Sequence, residues 1–270
     1  MKVYFDANIY DLAMNAMSPN EFKGFLQKKG ADIVISSHII YEVGRCLLED
    51  NNKIEKAKSL YAYISDLDIS FVTLKIDDLI INDLRKAKTG THYQPYYEYR
   101  NKKSFNEEVR RLADGDITMA REFISKREKS FSNYDFRRGF LEENPSFSQD
   151  KRINYDELIG KYEIRRQILN KSQFKKYADL LSDASLFNEP NKYPYLNSWI
   201  NANIYFNYLA CTTNDGPSRK HTSDLRQLIC ANAADLFITD DRGLISRGPK
   251  VNPFIKINGW DAFIAEINIR

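Results

Sequence analysis

The 270-residue chain has little cysteine and no long apolar run. Its three cysteines, Cys46, Cys211 and Cys230, stand far apart with no CxxC or Cys/His spacing, so they read as reduced thiols among apolar neighbours. No stretch approaches the roughly 20 apolar residues that span a bilayer, and no membrane partner is expected. The opening MKVYFDANIYDL places Asp6 and Asp11 where a secretory signal needs an apolar core, which makes a cytoplasmic protein the expectation. Strong charge is missing too: 40 basic against 37 acidic residues leave a net charge of +3, too little to announce a nucleic-acid partner. Internal repeats and low-complexity tails are also lacking.

What is present is 43% hydrophobic content, enough for the core of one large domain or two smaller ones. KVYF (2–5) predicts a strand ending at Asp6, followed by a helix over NIYDLAMNAM. DIVIS (32–36) predicts a second strand, with Ser36 and Ser37 as caps for a helix starting near His38. A helix over 52–65, a strand FVTL (71–74) and a helix IDDLIINDLRKA continue the alternation. From about 86 to 196 the alternation stops. It resumes with a helix near 197–210, a polar loop TTNDGPSRKHTS, a helix from Asp224, strands LFIT (236–239) and PFIKI, and a closing helix. Such alternation predicts an α/β fold with a central parallel sheet flanked by helices, whose ligands bind beyond the carboxyl ends of the strands. The domain reading is a core of 1–85 and 197–270 with a helical insertion at 86–196.

Three acidic features stand out, each with a structural alternative. Asp6 ends the first strand, and Asp240 with Asp241 ends LFIT; either could simply cap the following helix. Glu42 lies about 60° from Ile39 and about 40° from Cys46 around its helix, at the edge of an apolar stripe. It could pair with Arg45 or serve a site. Asp224 reads as a first-turn acid, a position that the helix dipole favours whatever the function.

The order of these elements resembles the PIN-domain nuclease family. FDANIY resembles its opening strand with an Asp-x-Asn signature, SSHIIYEVGR its second segment with an acid on the helix, and DLRQLICANAADLFITDDRGL its closing segment with an Asp opening a helix and a Thr-x-Asp after the next strand. The match covers about 85 residues at the two ends. The resemblance implies a PIN-like three-layer fold in which Asp6, Glu42, Asp224 and Asp241, with Asp240 as a neighbouring candidate, converge on one or two cations. Hard Mg²⁺ or Mn²⁺ suits such oxygen donors. Asn8 and Thr239 would orient them. The implied activity is metal-dependent cleavage of nucleic acid, with RNA preferred over DNA. Alternatives are a DNA-directed nuclease and a catalytically silent binding or scaffolding protein. A haloacid-dehalogenase-type phosphatase fits less well, because Asn8, Ile9 and Tyr10 stand where that family needs Asp, Gly and Thr.

Between residues 85 and 176, 22 basic residues face 14 acidic ones, so the base excess is concentrated there. Arg110 with Arg111, Arg137 with Arg138, and Arg165 with Arg166 lie among many aromatics; with Arg45 they are the candidate contacts for a single-stranded substrate. The alternative is a subdomain whose aromatics form its own core and whose bases are solvated. A regulatory protein partner and a homodimer are both compatible with the chain.

Overall fold

The computed structural model describes residues 1–46, 51–67, 69–97, 99–129, 154–179, 186–212 and 219–265. Strands β1 (Lys2–Phe5), β2 (Asp32–Ile35), β3 (Phe71–Val72), β4 (Leu236–Ile238) and β5 (Lys256–Asn258) form one sheet in the order β3-β2-β1-β4-β5, with every pairing parallel. Helices α1 (Ala7–Ala16) and α2 (Pro19–Lys28) join β1 to β2. Helices α3 (Ser37–Cys46) and α4 (Asn51–Asp66) lead to β3, and α5 (Ile76–Thr89) follows it. The α/β alternation read from the sequence is therefore present.

β1 is central, and its apolar residues Val3, Tyr4 and Phe5 are all fully buried. A parallel strand covered on both faces needs such a run. Alternate side chains point to opposite faces. Phe5 packs edge-on against Tyr10 and Phe263 and at a tilt against Phe22, residues of α1, α14 (Trp260–Ala265) and α2. Tyr4 packs against Phe237 of β4, and its hydroxyl meets Ser36 Oγ at 2.6 Å.

After α5 come α6 (Tyr99–Ala113), α7 (Ile117–Lys129), α8 (Tyr155–Gly160), α9 (Tyr162–Asn170) and α10 (Lys175–Ala178). Val109, Leu112, Ala120, Leu158, Ile168 and Ala178 of these helices belong to the same continuous core as β1. α6 packs on α4 and α7 on α3, while α8 and α9 pack on the long α11 (Pro194–Thr212). The described helices of 86–196 thus extend the core outward as a further helical layer.

Helix α12 (Arg219–Ala231) precedes β4, and α13 (Arg242–Val251) lies between β4 and β5. The extent of α12 corrects the sequence reading: the chain is already helical at Arg219, five residues before Asp224, so Asp224 does not open the helix. A first-turn dipole role therefore does not account for Asp224. Among the described residues no helix is long and apolar enough to cross a membrane.

Candidate active site

The strand order reverses at β1, whose neighbours are β2 on one side and β4 on the other. At such a switch point the loops leaving adjacent strands diverge and open a crevice at the carboxyl edge. Asp6 leaves β1 and Thr239-Asp240-Asp241 leaves β4 at this edge, while α3 brings Glu42 and α12 brings Asp224.

Asp6 is 6% exposed. Its Oδ1 accepts the Ala7 N–H at 2.7 Å, capping α1, and its Oδ2 accepts the Thr239 hydroxyl at 2.6 Å. Thr239 Oγ1 in turn accepts the Asp241 N–H at 3.1 Å, so one hydroxyl ties the two strand-end acids together. Burial raises the Asp6 pKa, against the hydrogen bonds from Thr239, Gln227 and Ala7, and the Asp241 charge raises it further.

Glu42 keeps 21% of its side chain exposed. Its Oε1 accepts the Ser223 hydroxyl and its Oε2 accepts Gln227 Nε2 at 2.6 Å, both from α12. His38, one turn earlier on α3, places Nε2 2.7 Å from Ser223 Oγ. Burial pushes the Glu42 carboxyl up to about 8, and repulsion from Asp6 and Asp224 adds to it.

Asp224 is 5% exposed, and Arg247 of α13 donates to its Oδ2. Burial raises its pKa to about 6; Arg247 opposes this, while Asp241 and Asp6 reinforce it. Asp241 caps α13 through Oδ1, which accepts the Leu244 N–H at 3.1 Å, and its Oδ2 lies 2.8 Å from Lys220 Nζ. Burial works to raise the Asp241 pKa, but Lys220 and the Leu244 N–H outweigh it and hold the carboxyl below its usual range. The capping alternative is therefore realised at both Asp6 and Asp241, yet in each case it uses only one of two carboxylate oxygens.

The sequence-predicted quartet is brought together: Asp6 is coupled to Glu42, Asp224 and Asp241, and Asp224 is coupled to Glu42 and Asp241. Asp240 is exposed, and none of the couplings among the quartet involves it. Asn8 lies in the first turn of α1 with its buried Oδ1 lacking a hydrogen-bond partner. His38, Ser223, Gln227, Lys220 and Arg247 are site residues that the sequence reading missed. The spacing of Lys220, Ser223, Asp224 and Gln227 (i, i+3, i+4, i+7) would have placed them on one helix face, had the helix been extended back to Arg219.

The candidate substrate arginines are placed differently from one another. Arg45 is half-buried on α3, and its charge lowers the Glu42 pKa. Arg110 is exposed with Nε 3.2 Å from Ser65 Oγ, and Arg111 pairs with Asp116 at 2.6 Å. Arg165 is a correction. Its guanidinium donates to Asn201 Oδ1 at 2.9 Å, to Asn197 Oδ1 and to the Ile159 carbonyl at 3.2 Å, which fastens α9 to α11 and spends the charge inside the protein. Arg166 is half-buried and 3.8 Å from Asp179. Arg137 and Arg138 lie outside the described residues.

Among the described residues, no three His, Cys, Asp or Glu side chains meet around one point as they stand. The donor set is nonetheless made of carboxylate oxygens, which fits a hard divalent cation by chemistry and gives no purchase for a soft one. Comparison of the chain with protein-family models, curated proteins and solved structures finds no match.

Proposed function

We propose that this protein is a PIN-like, divalent-metal-dependent nuclease that hydrolyses phosphodiester bonds of single-stranded RNA. The observation that carries this reading is the convergence of Asp6, Glu42, Asp224 and Asp241 from four separate elements onto the carboxyl edge between β1 and β4. Burial raises the pKa values of Asp6, Glu42 and Asp224, and repulsion among the acids adds to it, while Lys220 holds Asp241 low. Asp6, Glu42, Asp224 and Asp241 would hold Mg²⁺ or Mn²⁺, which when bound supplies Lewis-acid activation of water and neutralises charge developing on the phosphate.

The chain's own residues set the geometry. Thr239 fixes the Asp6 carboxylate, and Ser223 and Gln227 fix both oxygens of Glu42, so neither acid has to be ordered during the reaction. Arg110 on α6 is exposed and would meet phosphates without reading sequence, whereas Arg111 is engaged by Asp116. RNA is preferred over DNA on the family resemblance alone.

A second reading, a catalytically silent binding or scaffolding protein, is favoured by the pairing of Arg247 with Asp224 and Lys220 with Asp241. Incubation of wild type and Asp6→Asn with labelled single-stranded RNA and DNA, in Mn²⁺, Mg²⁺ or EDTA, separates the readings. Metal-dependent cutting lost in Asp6→Asn supports the nuclease and names its nucleic acid. Binding without cutting supports the scaffold.

A further inference from the structure

Two cations stand inside the acid cluster. Lys220 reaches Asp241 from the first turn of α12, and Arg247 reaches Asp224 from the second turn of α13. The Lys220 side chain is 70% exposed, so only its ammonium end is committed, whereas that of Arg247 is 22% exposed. The Tyr205 side chain of α11 lies beside Arg247.

We propose that Lys220 and Arg247 are a phosphate-binding pair held in reserve: they neutralise Asp241 and Asp224 in the metal-free protein, and turn to a substrate phosphodiester once a divalent cation takes those carboxylate oxygens. This rests on the nuclease reading above. A doubly charged ion and an ammonium compete for the same carboxylate, and the ion has the larger charge. Lysine's four-carbon stem lets the released ammonium swing outward, and arginine's planar fork is shaped for phosphate oxygens. Release therefore creates positive charge at the place where a phosphate must approach the acids, and only when the metal has been loaded. An otherwise repulsive acidic crevice gains an anion site in the same step.

A separate observation points to a ligand here. Gln227 is 1% exposed and donates its amide to Glu42, yet its Oε1 has no hydrogen-bond partner. A buried acceptor beside the acids, left without a donor or cation, is satisfied when the site is filled.

The test uses the full chain and two probes. Mn²⁺ binding is measured calorimetrically without nucleic acid, and binding of a fluorescently labelled single-stranded oligoribonucleotide is measured against salt in Ca²⁺ and in EDTA. Lys220→Gln should bind Mn²⁺ roughly two- to fivefold more tightly, the scale of one lost partly exposed ion pair. In Ca²⁺ the same variant should bind the oligonucleotide more weakly, with the slope of log affinity against log salt shallower by about 0.7, one phosphate contact. In EDTA the slope should not change. Arg247→Gln should move both readouts in the same directions; should it fail to fold, Lys220→Gln carries the test alone. Unchanged or weaker Mn²⁺ binding by Lys220→Gln, or an equal loss of slope in EDTA, overturns the exchange while leaving the nuclease reading in place. Wild type that takes up no Mn²⁺ overturns both.

Discussion

Thr239 donates its hydroxyl to Asp6 Oδ2 at 2.6 Å, joining the ends of β1 and β4 across 233 positions of chain. This bond holds the Asp6 pKa down against burial. Thr239→Val keeps the shape and removes the donor, leaving a buried carboxylate oxygen without its partner. The expected cost is about 1–3 kcal/mol of stability, read by urea denaturation. On the proposed nuclease reading, activity should fall by roughly 10- to 100-fold, as for loss of a residue that orients a metal ligand. Thr239→Ser should restore most of both; a serine variant as impaired as valine would point to packing instead.

Asp83 of α5 predicts a pH dependence away from the site. It is buried and accepts the Leu196 N–H at 2.9 Å at the start of α11, and burial raises its carboxyl from 3.8 to about 7. The native state thus keeps this proton to higher pH than the unfolded chain. Its contribution to stability is full below 3.8 and is lost as pH rises through about 7. Within that window the loss approaches about 1.4 kcal/mol per pH unit. Asp83→Asn retains an acceptor for Leu196 and should flatten that part of the profile. Denaturation of both proteins at pH 4, 5.5 and 7 checks it; parallel profiles would contradict it.

Gly44 lies one turn above Ile40 on the helix that carries Glu42. A Cβ there would come within 2.7 Å of the Tyr61 hydroxyl, which itself donates to the Ile40 carbonyl at 2.7 Å. Gly44→Ala should destabilise by about 1–3 kcal/mol through overpacking. Gly44→Ala combined with Tyr61→Phe, which removes the clashing oxygen, should recover part of that loss.

Arg165→Met tests the reassignment of that residue from substrate to structure. Losing its three internal hydrogen bonds should cost about 2–4 kcal/mol. Oligonucleotide affinity at a temperature where the variant is folded should not change. Weakened binding with unchanged stability would return Arg165 to the substrate surface.

The strands and the acids were legible because each signal is local: KVYF, DIVI and LFI are apolar runs that stop at polar residues. α2 carries its own start signal, the Ser18/Glu21 capping box with Pro19, although its apolar pattern is sparse. The beginning of α12 was hidden because residues 219–223 are polar and look like loop; their helical face is defined only by Glu42 and Asp241 arriving from elsewhere. Lys220 and Arg247 were hidden for the same reason. Arg165 looked like surface charge because Asn197 and Asn201, its acceptors, are more than thirty residues away. Long-range pairing of polar groups leaves no periodic trace, so the apolar skeleton could be read in advance and the polar wiring could not.

The most direct test of the account is a Mn²⁺ titration of wild type beside Asp6→Asn, Glu42→Gln, Asp224→Asn, Asp241→Asn and Asp240→Asn. Each of the first four variants should lose at least roughly tenfold in affinity, while Asp240→Asn, whose side chain is exposed outside the cluster, should bind as wild type does. Equal affinities across the set, or a loss confined to Asp240→Asn, would contradict a single metal site built from Asp6, Glu42, Asp224 and Asp241.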